Sequence, residues 1–134
     1  MKGLLFLCVA NSARSQMAEG MARSLAGLRI SVYSAGSRPG KLHPLAVQVM
    51  QEIGLDISRQ APKGLEAVPL KKIDTVVTLC GDEICPVFPR PVLAVHWPLA
   101  DPAAVKGTLS TRLRAFRRVR TELRFQIGHL LEMR

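Results

Sequence analysis

The chain has 134 residues, 48% of them hydrophobic, with 19 Lys plus Arg against 10 Asp plus Glu and a net charge of +9. That length suits a single domain over residues 1–134 with its own core, and the charge attracts anions without choosing among small oxyanions, nucleic acid and an acidic protein surface. Three cysteines, an odd number with no regular framework, argue against a disulfide-stapled secreted domain and for reduced thiols in the cytoplasm.

Lys2 and the apolar run behind it imitate a short signal peptide, with Cys8 in the place of an acylated cysteine. Only residues 3–7 separate the two, too few for an export core, and Leu7 is too large to precede a cleavage site. No stretch approaches the roughly 18 apolar residues of a membrane helix, so no membrane association is expected.

Residues 3–9 (GLLFLCV) read as a strand buried on both faces. A small polar segment follows, then a helix over 16–26 with Met17, Met21 and Leu25 on one face. Residues 29–34 (RISVYS) form a β-branched strand. Residues 39–42 turn, Pro44 opens a helix to residue 52, and Gly54 ends it. Residues 56–72 are irregular, with a short helix near 65–68. Residues 73–79 (IDTVVTL) and 92–95 (VLAV) are two more buried strands. The last helix spans 103–131, its buried stripe marked by Leu109, Leu113, Phe116, Leu123, Ile127 and Leu130. This order predicts an α/β, three-layer fold with a four-stranded parallel sheet flanked by helices.

The segment Cys8, Val9, Ala10, Asn11, Ser12, Ala13, Arg14, Ser15 joins the first strand to the first helix. Ligands of open parallel sheets bind at the carboxyl ends of strands, and a helix amino terminus favours an anion. Arg14 adds a planar fork for two oxygens of a tetrahedral anion. The same positive field favours the thiolate of Cys8, the reactive form, and Ser15 can donate a hydrogen bond to it. Asn11 tolerates the left-handed backbone that a tight anion cradle requires. The competing reading is a buried cysteine at a strand end beside a solvent-facing arginine.

Residues 8–20, CVANSARSQMAEG, resemble the active-site segment of thioredoxin-coupled arsenate reductases, relatives of the low-molecular-weight tyrosine phosphatases. The resemblance continues through Tyr33-Ser34-Ala35-Gly36-Ser37, Val76-Val77-Thr78-Leu79-Cys80, His96-Trp97, Asp101-Pro102 and Phe116-Arg117-Arg118-Val119-Arg120, in order over nearly the whole chain. It implies that Cys8 is the nucleophile, Arg14 binds the oxyanion, Ser15 supports the thiolate and Asp101 is the acid for the leaving oxygen. Asp101 also reads as a cap for the final helix. The resemblance further implies a relay: arsenate forms an adduct on Cys8, Cys80 attacks Cys8, Cys85 attacks Cys80, and thioredoxin reduces the Cys80–Cys85 disulfide. Gly81 would ease that rearrangement through unusual backbone angles. Four residues separate Cys80 from Cys85, a shorter insert than the family's, and bridging requires the segment to leave helix geometry.

Some family members bind potassium, and Asn11, Glu19 and Ser34 match that ligand pattern. Lys63 stands where an acidic ligand is expected, so its ammonium is expected to replace the cation. No metal or cofactor is expected, and the cysteines lack the paired spacing of a zinc site. His43 reads as a residue leading into a helix, His96 and Trp97 as loop packing, and His129 as solvent-facing.

A low-molecular-weight protein tyrosine phosphatase is the alternative, using Cys8, Arg14 and Asp101. Residues 103–105 supply no aromatic wall for a phosphotyrosine ring, and a phosphatase needs neither Cys80 nor Cys85. Residues 106–134 hold eight basic and two acidic residues, but few aromatics suited to base stacking, so no nucleic acid partner is expected.

Overall fold

A computed structural model describes residues 1–132. Four parallel strands, β1 (Gly3–Cys8), β2 (Ser31–Gly36), β3 (Thr75–Thr78) and β4 (Leu93–His96), lie in the order β2-β1-β3-β4. β1 is central and all six of its residues are buried, as its unbroken apolar run requires of a strand covered on both faces. β2 and β4 are the edge strands, and β4 is the less covered. Leu93 there is 60% exposed, because an edge strand has only one neighbour and this one is thinly covered.

Side chains alternate across β1 and divide the core. Leu4, Phe6 and Cys8 join a large cluster with residues of α1 (Arg14–Ala26), α2 (Pro44–Gln51) and α3 (Leu109–Glu132). Leu5 and Leu7 join a smaller cluster with Ala35, Val68, Ile73 and Val76. Short 3-10 turns at Leu65–Ala67 and Leu70–Lys72 supply Leu65 and Leu70 to that second side. The three-layer α/β class is as expected, with a thin third layer.

Several boundaries differ from expectation for local reasons. α1 begins at Arg14, without a side-chain cap, and Leu25 near its end is 40% exposed while Met17 and Met21 are buried. α2 begins as Pro44 predicts, and His43 caps it by accepting the Leu45 amide on Nδ1 at 3.1 Å. α3 starts at Leu109 rather than at 103. The short 3-10 turn at Pro102–Ala104 ends at Val105, whose backbone is extended, and Gly107 with φ 121° keeps it separate from α3. Thr108 Oγ1 then accepts the Thr111 amide at 3.1 Å, an amino-terminal cap. Leu109 consequently sits outside the buried stripe, 58% exposed, while Leu113, Phe116, Val119, Leu123, Ile127 and Leu130 form it. Among the described residues, no helix is long and apolar enough to cross a membrane.

Candidate active site

The loop between β1 and α1 is bent around its own amides. The Val9 carbonyl accepts from Arg38 N, the Ala10 carbonyl from Gly40 N and the Ser12 carbonyl from His43 N, each at 2.9 Å. The 38–43 segment therefore draws these carbonyls outward. In a planar trans peptide the following N–H points the opposite way, which turns the amides of Ala10, Asn11 and Ala13 inward. The chain fits this bend because Asn11 adopts φ 49°, the left-handed conformation expected of it. Gly36 lies against the outside of the loop. A Cβ there would collide with the Val9 carbonyl and come within 2.9 Å of the Asn11 amide.

Cys8 is buried and free, with its sulfur 2.8 Å from Ser15 Oγ. Asn11 Nδ2 donates to Ser15 Oγ at 2.7 Å and to Ser34 Oγ at 2.9 Å. Ser34 in turn donates to Glu19 Oε1 at 2.6 Å. The other side of the Asn11 amide, Oδ1, accepts from Gln16 Nε2 at 3.0 Å and from the Lys63 backbone N–H at 2.9 Å. Gln60 holds Gln16 through a 2.7 Å bond to its Oε1. A buried chain of side chains thus runs from Glu19 to the Cys8 sulfur.

The residues matching a potassium site are already engaged with protein donors. Glu19 Oε1 accepts from Ser34, and Glu19 Oε2 pairs with Arg23 at 2.8 Å. Positive charge beside Glu19 comes from Arg23, one helical turn on. Lys63 enters the network through its backbone amide, whereas the sequence suggested its ammonium. The donor set leaves these oxygens poorly suited to a resident cation.

Arg14 is almost wholly buried, at 3% exposure. Its Nη1 donates to the Leu99 carbonyl at 2.9 Å. Nη1 and Nη2 also grip the two oxygens of the Glu83 carboxylate, at 2.8 and 3.0 Å. Burial works against the guanidinium charge, but the Glu83 hydrogen bond and the nearby Asp101 and Cys8 outweigh it and raise the pKa. Hydrogen bonding from Arg14 is likewise the main reason the Glu83 carboxyl falls to about 2, against the opposing effect of burial. Asp101 Oδ2 lies 3.9 Å from Arg14 Nη2. Its Oδ1 accepts the Ala103 amide at 3.0 Å, so Asp101 caps the 3-10 turn at Pro102–Ala104, not α3.

Cys80 and Cys85 are joined as a disulfide, with Cα atoms 5.5 Å apart. Residues 81–85 are free of helix, the condition that the short spacing set. Cys80 is buried and Cys85 is half-buried. In this bridged state Gly81 is not among the positive-φ glycines. It supplies room: a Cβ would stand 3.0 Å from the Leu99 carbonyl.

The fold brings Cys8, Arg14, Ser15, Asp101 and Glu83 into one contact network at the carboxyl ends of β1 and β3, with the Cys80–Cys85 bond beside it. His96 is the last residue of β4, not a loop residue, and bonds Thr78 of β3 at 2.6 Å, while Trp97, just past the strand, packs on Phe6 with ring centroids 6.4 Å apart. Sequence reasoning missed Glu83, treated as spacer between two cysteines. An acid inside so short a bridged segment was the available signal. It also missed Gln16 and Gln60, whose amides orient Asn11.

Residues 3–133 match the family described as low molecular weight phosphotyrosine protein phosphatase. An arsenate reductase of Halalkalibacterium halodurans is 45% identical over 124 residues, 91% of this chain and 89% of the relative. A solved structure of an arsenate reductase in the phosphate binding state has a TM-score of 0.85 at 34% identity, covering 99% of this chain and 98% of that one. The thioredoxin-dependent arsenate reductase of Corynebacterium glutamicum has a TM-score of 0.76 at 28% identity, covering 99% of this chain and 61% of that one. The chain belongs to the low-molecular-weight phosphotyrosine protein phosphatase family and, within that fold, to its arsenate reductases.

Proposed function

We propose that the chain reduces arsenate to arsenite with Cys8 as nucleophile and Cys80 and Cys85 as a disulfide relay. One observation carries this reading: a buried free thiol hydrogen-bonded to Ser15 stands at the base of an inward-turned amide loop, one strand away from a bridged cysteine pair. The relatives named arsenate reductase support the substrate. The loop amides of residues 8–15 and Arg14 receive the tetrahedral oxyanion. Cys8 thiolate attacks arsenic, and an arsenate oxygen leaves as water after protonation by Asp101.

Cys80 thiolate then attacks Cys8 sulfur. The sulfur–arsenic electron pair passes to arsenic, arsenite leaves, and a Cys8–Cys80 disulfide remains. Attack by Cys85 on Cys80 frees Cys8 and forms Cys80–Cys85. A dithiol of the thioredoxin class supplies two electrons to that bond and becomes a disulfide itself. Cys85 is the more accessible of the two sulfurs' residues, which suits it to meet an external thiol. The thioredoxin-dependent relative supports this reductant class, and the cycle fits a reducing cytoplasm. The bridged pair favours reductase over dedicated phosphatase, which uses no second thiol.

The test is arsenate-dependent NADPH oxidation by the purified chain with thioredoxin and thioredoxin reductase, set against glutathione and glutaredoxin. Turnover with the first pair alone is the expected result. Absence of arsenite under both regimes removes the reductase reading.

A further inference from the structure

We propose that Glu83 is an intramolecular oxyanion gate: while the Cys80–Cys85 disulfide is closed, its carboxylate occupies Arg14 and keeps arsenate and phosphate out. The inference rests on the reading of Arg14 as an oxyanion ligand. Glu83 lies inside the bridged segment, between the two cysteines, and so is carried by the part of the chain whose covalent state changes during the relay.

The geometry is that of a bound ligand. Both Glu83 oxygens engage both terminal nitrogens of Arg14, at 2.8 and 3.0 Å. Gly81 N donates to the same carboxylate, at 2.5 Å. This two-point grip is the one a tetrahedral oxyanion needs from a guanidinium, so the two anions compete for one fork. The remaining Arg14 contacts run from Nη1 to the Leu99 and Leu79 carbonyls and from Nη2 to Asp101 Oδ2 at 3.9 Å, and none of them spans both nitrogens as Glu83 does. Glu83 is ionised through the neutral range, its carboxyl lying at about 2. Mild acidity therefore leaves the gate charged.

The consequence is an ordered cycle. In the oxidised chain Cys8 is free but Cys80 is consumed. An arsenate adduct formed on Cys8 then has no internal thiol to resolve it. Glu83 on Arg14 prevents that dead end. A dithiol reductant gives two electrons and two protons to the Cys80–Cys85 bond. The segment is released, and the effective concentration of Glu83 at Arg14 drops. Arsenate is admitted when both relay thiols are available.

The experiment measures inorganic phosphate binding by calorimetry to the full chain, reduced, and oxidised with diamide. Peptide mass mapping verifies Cys80–Cys85 as the oxidised bond. Wild type is expected to bind phosphate about ten-fold or more weakly when oxidised, as a tethered competitor predicts. Oxidised Glu83→Gln and Glu83→Ala should bind like the reduced chain, with circular dichroism showing that each folds. Equal binding by reduced and oxidised wild type overturns the gate and leaves the oxyanion reading intact. Weak binding that persists in both oxidised Glu83 variants also overturns it, since some other feature then excludes the anion. No binding by reduced wild type removes the oxyanion reading, and the gate falls with it.

Discussion

Asn11 Nδ2 donates to Ser15 Oγ at 2.7 Å, which decides where the Ser15 proton goes. The direction is fixed from the far side of the amide: the Lys63 backbone N–H can only donate, so the Asn11 atom it meets is the oxygen. Ser15 therefore accepts from Asn11 and its own hydrogen is left for the Cys8 sulfur, 2.8 Å away. Asn11→Asp replaces that nitrogen with an oxygen that competes for the Ser15 proton. Loss of a hydrogen bond to a charged group costs about 1.5–3 kcal/mol, and we expect Cys8 to react roughly 10-fold or more slowly. The check is the rate of Cys8 alkylation by iodoacetamide at neutral pH in the reduced protein, with Ser15→Ala alongside. Unchanged alkylation in both variants would show that this chain of bonds does not prepare Cys8.

Gly36 tests the loop from outside. It packs so closely on the Val9 carbonyl and the Asn11 amide that Gly36→Ala must displace backbone on both sides. Overpacking of this kind costs about 1–3 kcal/mol. We expect a lowered urea midpoint together with weaker phosphate binding to the reduced chain, because the displaced peptides are those whose amides turn inward. A variant that loses stability but binds phosphate normally would separate Gly36 from the loop's geometry.

The pH dependence of stability has a defined source on the helix side of the molecule. Glu52 pairs with Arg117 at 2.6 Å and Arg120 at 2.7 Å. Hydrogen bonds from Arg117, then Arg120, hold its carboxyl at about 2 against an ordinary 4.5. A carboxyl depressed in the folded state contributes fully above its unfolded value and loses that contribution as pH falls through the folded one. The window is therefore from about 4.5 down to about 2. Solvent exposure keeps the contribution to about 1 kcal/mol or less. Urea unfolding from pH 7 to 2.5 should show a shallower acid loss for Glu52→Gln than for wild type. Identical slopes would mean that this cluster does not set the acid limb.

Local chemistry made much of this protein legible before its structure. The apolar run of β1, the Pro44 helix start and the left-handed Asn11 each follow from the residue itself. The start of α3 was misplaced because the helical stripe was extended backward through Gly107 and Thr108, where a positive-φ glycine and a capping hydroxyl stop it. The Glu83–Arg14 pair was not legible for a different reason. It joins residues 69 positions apart through a loop closed by a disulfide, and no periodicity or local propensity encodes that approach. Arg23 in place of Lys63 beside Glu19 was within reach, since the two lie one helical turn apart.

Cys85→Ser should separate a single reduction from repeated turnover. Cys85 is five positions from Cys80, and the two are bridged. In the proposed relay, Cys8 and Cys80 suffice to release one arsenite. The electrons come from their two thiolates, and the product is a Cys8–Cys80 disulfide. Without Cys85, nothing inside the chain can transfer that bond outward. Cys80 is buried at 1% exposure and Cys8 at 2%, so an external dithiol reaches their bond slowly. The expected result is a burst of about one equivalent of arsenite per chain, then arrest, as for any enzyme whose resolving step has been removed. Cys80→Ser should stop earlier, with arsenic held on Cys8 and no burst. Cys8→Ser should fold and give neither, since a serine hydroxyl stays protonated there. Rapid-quench arsenite measurement with mass mapping of trapped disulfides reads all three. Sustained turnover by Cys85→Ser with thioredoxin would mean that an external thiol resolves Cys8–Cys80 directly, leaving the Cys80–Cys85 bond outside the catalytic cycle.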